Sequence, residues 1–403
     1  MTMKKTIKIF ALGLLSAALF SCQDAALPTI DNLVYISDAA NGRLGVVNMA
    51  DAGEDTQVSF TVRLAQKAEE DIKVAISIDE SILALYNETY QAAFKHVAPE
   101  NIEYPAVAVI PAGSVSSDPV TIAVKSFDTM GAQYALSFKI TSKGDIPVAE
   151  QSSKYIVQLM KPLKQLVPTF RNSQAMQCEP IEDWGESFMN YTLEWWVKMS
   201  ALNINNQAII NSGGGSDSNH TELYIRFGDL IYSSGGRYDN RFLQIKTMGS
   251  QFDTGNPTQG NALNAGQWYH FALSYDGATG KSIMYKDGQV VAELSTGAGR
   301  PMNIDRFQMC SSGTQYFPNQ AEMCQVRFWK TTRTAAQIQK NMRSEVEYTN
   351  PDLVFYLPMN EGPGATTLKD VTGNGHDCHI GNLTSAGGHG VGTQAYAWTE
   401  YAF

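Results

Sequence analysis

The residues best suited to contact a small ligand lie together in one short polar stretch. It reads Gly-Gly-Arg-Tyr-Asp-Asn-Arg and supplies Arg237, Tyr238, Asp239, Asn240 and Arg241. A tyrosine ring can stack on the C–H face of a sugar ring, and neighbouring Asp, Asn and Arg side chains can hydrogen-bond its hydroxyls. This combination makes the stretch the best candidate in the sequence for a carbohydrate contact, although a purely structural hairpin is the favoured interpretation. Two aromatic residues in other loop-like segments, Trp184 and Tyr316, are predicted contacts of the same kind.

Catalytic chemistry has little support in the same sequence. Hydrolysis of a glycosidic bond needs two carboxylates at a defined separation. Glu194 lies in a strand-like run without an acidic neighbour, and Glu179 is followed by Pro180, which interrupts a strand. The sequence has no Gly-x-Ser-x-Gly elbow, no His-Glu-x-x-His motif and no phosphate-binding loop. The sequence therefore predicts a protein that is not an enzyme.

Two segments contain residue types that bind metal ions. The tetrapeptide from His376 to His379 places Cys and His close together, but adjacent residues of a strand point to opposite faces and cannot all converge on one ion. In a second segment, the side-chain oxygens of Asp370 and Asn374 can hold Ca²⁺. A turn that those two side chains stabilise is the favoured interpretation, so no cofactor is predicted.

Four cysteines lie in the part of the chain after residue 165: Cys178, Cys310, Cys324 and Cys378. In an exported protein they can form two disulfides, with three possible pairings. As free thiols they would pack as small apolar groups. The sequence leaves both alternatives open, although the alternation of Cys324 with Val326 and Phe328 predicts that this thiol points into a core.

The first 22 residues bear on the location of the protein. Lys4, Lys5 and Lys8 precede an apolar run, and Ser21 stands directly before Cys22. A basic start, an apolar run too short to span a bilayer and a small residue at the cleavage point predict a secretory signal. The segment resembles a bacterial lipoprotein signal, which implies cleavage before Cys22, acylation of its thiol, and an outer-membrane protein that faces the exterior. The alternative is an ordinary secretory signal with a chance cysteine.

The composition excludes one class of partner. The chain carries 30 Lys+Arg against 40 Asp+Glu, a net charge of −10, and removal of the three signal lysines leaves 27 against 40, or −13. Such a surface repels phosphate backbones, so no nucleic-acid partner is expected. Because 43% of the residues are hydrophobic and only 17% are charged, the chain has enough apolar material for large cores.

The chain divides near residue 165, and its first part alternates apolar and polar residues with the period of a strand. Three motifs in this part are Ala-Leu-Tyr-Asn at 84–87, Ile-Pro-Ala-Gly-Ser at 110–114 and Tyr-Ala-Leu-Ser-Phe-Lys-Ile-Thr-Ser at 134–142. Alternation of this kind predicts strands with one buried face. In their order and spacing the motifs resemble a domain of unknown function (DUF1735) that opens many Bacteroidetes surface lipoproteins. With the strand pattern, the resemblance implies a small β-sandwich with a helical insertion.

The second part contains three stronger motifs. An aromatic strand at 267–276 leads to an Asp-Gly turn at 287–288, which suits a type I′ hairpin. A strand at 324–329 precedes a helix that Thr334 opens with a capping box, and an Asp-Val-Thr-Gly-Asn-Gly-His turn follows at 370–376. This succession is similar to the laminin-G-like jelly roll of the concanavalin A-like superfamily. The similarity implies two curved antiparallel sheets whose loops often bind sugars or proteins.

The predicted fold class is all-β, with a small N-terminal β-sandwich followed by a jelly-roll sandwich. The predicted segments are a signal peptide at 1–21, a tether at 22–33, the first sandwich at 34–160, a proline-containing linker at 161–169 and the jelly roll at 170–403. Together the resemblances imply a non-catalytic glycan-binding surface lipoprotein of a polysaccharide-utilisation system. Its partners would be an oligosaccharide or polysaccharide, glycoside hydrolases and an outer-membrane transporter. An adhesin-like module that binds a protein and a glycoside hydrolase with atypical carboxylates are the alternatives.

Overall fold

The computed structural model contains two β-rich domains. It describes residues 31–42, 44–142, 146–171, 174–181, 184–212, 223–229, 239–255, 262–311, 319–381 and 393–403. Within these residues no helix has the length and apolar character needed to cross a membrane. Cys22 and the rest of the predicted signal lie outside the described residues.

Within the described residues, the first domain has eleven short strands and one α-helix. The strands are β1 (Val34–Ile36), β2 (Gly45–Asn48), β3 (Thr56–Phe60), β4 (Val62–Leu64), β5 (Ile72–Ile78), β6 (Lys95–His96), β7 (Ile102–Glu103), β8 (Val107–Ile110), β9 (Val120–Val124), β10 (Tyr134–Ser142) and β11 (Lys154–Met160). The helix α1 covers Glu80–Tyr90, and single turns of 3₁₀-helix occur at Ser37–Gly42, Pro99–Asn101 and Glu150–Ser152.

Three sheets enclose the core of this domain. The largest has the order β2-β11-β10-β5-β8, with β6 beside β10, and the others have the orders β3-β9-β7 and β1-β4. The expected alternation is present, since β9 buries Val120, Ile122 and Val124 and exposes or half-exposes the residues between them. The same pattern in β5 and β11 completes one apolar core. Helix α1 starts at Asp79, whose carboxylate accepts from the Ser81 N–H and satisfies one free donor of the first turn.

The predicted linker is shorter than expected. Residues Lys164–Phe170 form strand β12 of the second domain, so that only 161–163 connect the domains without regular structure. Pro168 was expected to interrupt a strand, but β12 pairs with the strand Ala321–Trp329 only through Thr169 and Phe170. At Pro168 the strand therefore has one free side, where a residue without an N–H is tolerated.

In the residues that the structure describes, the second domain has eighteen strands and one helix, α2 (Ala335–Asn341). The strands are β12 (Lys164–Phe170), β13 (Met176–Cys178), β14 (Glu186–Phe188), β15 (Asn190–Met199), β16 (Gln207–Asn211), β17 (Tyr224–Phe227), β18 (Leu243–Thr247), β19 (Ser250–Asp253), β20 (Tyr269–Asp276), β21 (Lys281–Lys286), β22 (Gln289–Ser295), β23 (Met302–Ile304), β24 (Phe307–Met309), β25 (Ala321–Trp329), β26 (Leu353–Leu357), β27 (Thr367–Leu368), β28 (Cys378–Ile380) and β29 (Ala397–Ala402).

Two large sheets form the sandwich of this domain. Sheet 1 has the order β22-β21-β20-β15-β25-β12-β29, with β26 also paired to β25. Sheet 2 has the order β19-β18-β17-β16-β24-β13-β28-β27. Their facing side chains make one core rich in aromatic residues, among them the fully buried Trp195, Phe271 and Phe307. This two-sheet packing confirms the predicted all-β class with a jelly-roll sandwich.

Local chemistry accounts for the elements at the edges of sheet 1. Asp287 and Gly288 both have positive φ, 51° and 75°, as a type I′ turn requires between β21 and β22. Thr334 and Gln337 exchange hydrogen bonds as a capping box at the start of α2. Both features match the sequence prediction.

The chain after α2 also contacts the first domain. Lys95 donates to Glu347 at 2.6 Å, and Lys161 donates to Glu345 at 3.0 Å. A Cβ at Gly131 would lie 1.9 Å from the Val346 carbonyl oxygen, so this position accepts only glycine. The two domains therefore meet along the segment that follows α2.

Candidate functional site

A row of polar side chains crosses sheet 2 on its outward face. Each member stands directly opposite the next in strand register, and the row runs through Gln251, Lys246, Tyr224, Asn211, Gln308, Gln177, His379 and Thr367. Directly opposite residues of antiparallel strands share a face and interact. We call this set the polar row. It presents amide, hydroxyl, amino and imidazole groups along one line across eight strands.

The exposure of the polar row varies along its length. Gln177 and Gln308 at its centre are only 4% and 8% exposed, and Gln308 Nε2 donates to Gln177 Oε1 at 3.2 Å. Tyr224 and Lys246 on one side are partly exposed, and Gln251 at that end is exposed. Thr367 and His379 at the other end are also partly exposed, and the longer accessible part of the row lies over β16, β17, β18 and β19.

A second group of polar residues, which we call the Arg226 cluster, adjoins this accessible part. It comprises Asn205, Asn206, Arg226, Asp229 and Gln244. The Arg226 guanidinium donates to Gln244 at 2.9 Å from Nε and to Asn206 at 2.7 Å, and it forms an ion pair with Asp229. Its carbon lies 5.3 Å from the centre of the Tyr224 ring. These contacts hold the amide groups of Asn206 and Gln244 and the ring of Tyr224 in place.

Part of the stretch predicted to contact a sugar borders the Arg226 cluster. Asp239 binds Arg241 through two hydrogen bonds of 3.0 and 2.8 Å, and the bonds from Arg241 hold the pKa of Asp239 below its usual range. A Cβ at Gly228 would lie 2.5 Å from Asn240 Oδ1 and 2.7 Å from Asn205 Oδ1, which places Asn240 against the cluster. Among the described residues, buried Asn240 Oδ1 has no hydrogen-bond donor. Arg237, Tyr238 and Tyr316 lie outside the described residues, so their predicted roles stay predictions.

The structure corrects the position predicted for Trp184. Its side chain is 7% exposed and stacks on the His376 ring at 4.3 Å between centroids, with Phe307 and Phe355 also in contact. The backbone N–H of Trp184 donates to the Asp305 carbonyl at 2.8 Å, which holds the residue against the core. A ring covered in this way has no free face for a sugar, so Trp184 is a core residue.

Glu194, the strand carboxylate considered for catalysis, lies fully buried on the outward face of sheet 1. Arg333 donates to one of its oxygens, Arg327 lies 4.0 Å from the other, and His270 Nε2 lies 3.6 Å away. Burial alone would raise the pKa of Glu194, but Arg333, Arg327 and His270 together lower it. Burial lowers the pKa of His270 to about 4, against the attraction of Glu194. The carboxylate therefore stays ionised and neutralises buried arginines.

The segments considered for metal binding are held by protein groups. Asp370 Oδ1 accepts from the N–H groups of Tyr356 and Thr372, and Oδ2 accepts from the His376 N–H. Asn374 Nδ2 donates to the carbonyls of Leu353 and Val354. These bonds make the turn one that its own side chains stabilise. In the part of the chain that the structure describes, no three His, Cys, Asp or Glu side chains form a group able to hold a metal ion.

All four cysteines of the second domain are buried free thiols in the structure. Cys178 and Cys378 stand opposite each other on β13 and β28. Cys324 has no exposed surface, in agreement with the prediction that it points into a core. Burial raises the pKa of Cys310 and of Cys324 above the usual thiol range, so these thiols stay protonated.

Comparison with known proteins agrees with this architecture. Residues 171–339 match the family model of the concanavalin A-like lectin/glucanase superfamily, and residues 30–147 match a model of an N-terminal domain. The second domain is a concanavalin A-like jelly roll. No curated protein matches the chain.

Solved structures of similar fold extend the comparison. A protein of Bacteroides ovatus with a proposed role in carbohydrate binding is 19% identical, covers 92% of this chain and 97% of its own, and superposes with a TM-score of 0.65. At this identity the likeness concerns the fold of both domains. A heptameric SAP-like pentraxin of Limulus polyphemus is 12% identical over 54% of this chain and 95% of its own, with a TM-score of 0.35.

Sequence reasoning did not find the polar row or the Arg226 cluster of this jelly roll. A signal was present, since Tyr224 and Arg226 alternate with apolar residues in β17, and Gln244 and Lys246 do so in β18. Which side of a sandwich such residues occupy, and which other strands they join, depends on the pairing of strands far apart in sequence. The row therefore becomes visible only in the folded domain.

Proposed function

We propose that this protein binds a glycan, without catalysis, on the outward face of sheet 2. The observation that carries the proposal is the polar row with the Arg226 cluster beside it, on one face of a concanavalin A-like domain. The proposed carbohydrate-binding role of the Bacteroides ovatus protein with the same two-domain fold supports the ligand class. Fold alone does not define function, so the argument rests on the side chains of this face.

The chemistry of this face suits sugar hydroxyls. Amide groups both donate and accept hydrogen bonds, and hydroxyl groups of a sugar need both kinds of partner. The ring of Tyr224 offers an apolar surface beside Lys246 and Asn211, which stand next to it in register. Because the Arg226 cluster fixes its amides through internal bonds, little side-chain freedom is lost when a ligand binds. Tyr238 and Arg237, in the stretch between β17 and β18, belong to the proposed site.

The carboxylates around this face argue for binding without hydrolysis. Asp229 pairs with Arg226, Asp239 pairs with Arg241, and Glu179 bonds to His379. A glycosidase needs a proton-donating carboxylic acid with a raised pKa beside a second carboxylate. The bonds from Arg241 instead hold the pKa of Asp239 below its usual range. Buried Glu194, on the other sheet, is unreachable for a substrate.

The proposal includes a location and partners. Cys22 would carry a lipid anchor at the outer membrane with both domains outside the cell, where the protein would capture a polysaccharide for glycoside hydrolases and a transporter. The lipoprotein-like signal motivates this part. Metabolic palmitate labelling is expected in the unmodified protein and absent in Cys22→Ala, which should also be released or mislocalised. Equal labelling of both proteins, or of neither, would refute the anchor.

Affinity electrophoresis tests the binding function directly. Purified protein should migrate more slowly in native gels that contain the right member of a panel of soluble plant, fungal and host polysaccharides. No released product is expected on incubation with the same panel. Tyr238→Ala should weaken the retardation, whereas Tyr90→Ala, an exposed tyrosine on α1, should not. An absence of retardation with every polysaccharide, together with capture of a protein ligand, would favour the adhesin alternative, and released sugar would favour a hydrolase.

A further inference from the structure

A second groove lies on the outward face of sheet 1, where α2 does not cover it. A row of residues in register, Glu322, Thr169 and Ala397, forms its floor, and Lys198 stands opposite Glu322 on the neighbouring strand β15. Ser200, Gln320 and Thr399 line its sides, and its volume is about 260 Å³. That volume lies just below the range of about 300–1,000 Å³ typical of small-molecule sites, so the groove suits a single sugar unit of a chain.

Tyr396 borders this groove with an accessible aromatic face. The residue is 50% exposed, although most large aromatic residues of the domain lie in the core. The Arg171 guanidinium stacks on one face of its ring at 3.0 Å from the ring centre. A cation over one face holds the ring in position and leaves the opposite face for a ligand. The backbone N–H of Tyr396 donates to the Thr169 carbonyl at 2.8 Å, which fixes the residue next to the floor.

Glu322 supplies an oriented acceptor in the floor. The Tyr401 hydroxyl donates to Glu322 Oε1 at 2.6 Å, and Lys198 forms an ion pair with Oε2. Lys198 also lies 4.4 Å from the centre of the Tyr401 ring and 5.4 Å from that of Trp268. Trp268 is only partly buried here, with 5.1 Å between the centroids of its ring and the Tyr401 ring. A fixed carboxylate beside aromatic rings suits a sugar hydroxyl and its neighbouring C–H groups.

We propose that this groove is a second saccharide-binding site, with Tyr396 as the stacking surface and Glu322 as the hydroxyl acceptor. The inference takes its ligand class from the proposed function. The two sheets of a sandwich lie about 10 Å apart, and the groove and the polar row face away from each other. One molecule of a short oligosaccharide can therefore occupy only one of the two sites, whereas one long polysaccharide chain can bind at both. Two linked contacts strengthen binding to the polymer far more than to a fragment.

Calorimetry with a trisaccharide, combined with affinity gels that contain its parent polysaccharide, tests the second site. The probe is the polysaccharide that retards the unmodified protein most among xyloglucan, arabinogalactan, yeast mannan, glycogen and mucin. The unmodified protein should bind two trisaccharides, and Tyr396→Ala should bind one. The same variant should bind the polymer at least about tenfold more weakly. Glu322→Gln should weaken polymer binding in the same direction, and Tyr396→Phe, which keeps the ring, should restore it.

Controls separate this inference from the proposed function. Tyr90→Ala should bind as the unmodified protein does, and Tyr224→Ala should weaken the site on sheet 2 about tenfold and leave the one on sheet 1 unchanged. A stoichiometry of one in the unmodified protein, with Tyr396→Ala and Glu322→Gln binding the polymer normally, would overturn the second site alone. If none of the five polysaccharides retards the unmodified protein, both the second site and the proposed function fail.

Discussion

The polar groups on the outward faces of the two jelly-roll sheets have different roles. On sheet 1, α2 and the residues after it cover Glu194, His270 and Arg327, all with 1% exposure or less. On sheet 2, the polar row keeps partly exposed members such as Tyr224 and Lys246. The covered face uses its charges to neutralise one another. The face of sheet 2 presents amide and hydroxyl groups in a row that stays partly exposed.

The comparison shows that polar character on a strand does not by itself indicate a binding site. Both faces have polar residues at alternate strand positions, but within the described residues only the face of sheet 1 has a helix laid across it. That helix is held by apolar contacts of Ile338 with Ala272 and Tyr285, and by the Trp196 indole, which donates to the Met342 carbonyl at 2.7 Å. What decides between stability and recognition is the element that packs above the strand.

Removal of the buried carboxylate should produce the largest effect. Glu194→Ala leaves Arg333 and Arg327 buried without their anionic partner, and loss of one member of a buried ion pair costs about 3–5 kcal/mol. Urea unfolding monitored by tryptophan fluorescence measures the change. Glu293→Ala, at an exposed ion pair with Lys281, is the matched control and should change stability little. Equal effects of the two substitutions would contradict a structural role for the covered charges.

Low pH should lower the free energy of unfolding through the buried groups on the covered face of sheet 1. The pKa of His270 is about 4 in the folded domain, below its ordinary value of 6.5, so the unfolded chain binds more protons between these pH values. Stability is then full above about pH 6.5 and falls as the pH drops toward 4, by roughly 3 kcal/mol for a shift of this size. The lowered pKa of Glu194 acts in the same direction at still lower pH.

Unfolding free energies at pH 7.0, 5.5 and 4.5 test this dependence. His270→Gln removes the titrating group, so the variant should lose clearly less stability between pH 7.0 and 4.5 than the unmodified protein. Other groups titrate in both proteins, and the difference between the two curves isolates His270. Parallel curves would show that His270 is not neutral and buried in the folded state.

The smallest effect on stability is expected at the contact between the first domain and the segment that follows α2. Lys95 and Glu347 form an ion pair at 2.6 Å, with side-chain exposures of 49% and 36%. Exposed pairs of this kind contribute about 0–1 kcal/mol, so Lys95→Ala should shift the melting temperature by only a few degrees. Scanning calorimetry measures the shift. A loss comparable with that of Glu194→Ala would mean that the domain contact stabilises the covered face.

Features with local causes could be predicted from the sequence. The Asp287-Gly288 turn follows from the φ angles that its residues adopt, and the Thr334 capping box follows from a three-residue spacing. Strand alternation in the first domain is equally local. Each of these features could be predicted because the residues that form it are close together in the sequence.

Features with distant causes could not be predicted in the same way. Trp184 follows two acidic residues and looks like part of a polar loop, but its ring meets His376, almost two hundred positions later. The buried partners of Glu194 come from β20, β25 and the start of α2. The polar row likewise needs the register of eight strands. Assignment of these residues requires the tertiary pairing, which no window of sequence contains.

Calorimetric titration of two row variants tests the central claim most directly. Tyr224→Ala and Lys246→Ala each remove one partly exposed member of the polar row, and Lys281→Ala removes a lysine of sheet 1 as the control. With a trisaccharide of the polysaccharide that the protein binds, each row variant should raise the dissociation constant of the sheet 2 site about tenfold, which corresponds to about 1.4 kcal/mol. The melting temperature should stay within a few degrees. If both row variants bind as tightly as the unmodified protein and the control, the glycan does not bind on this face.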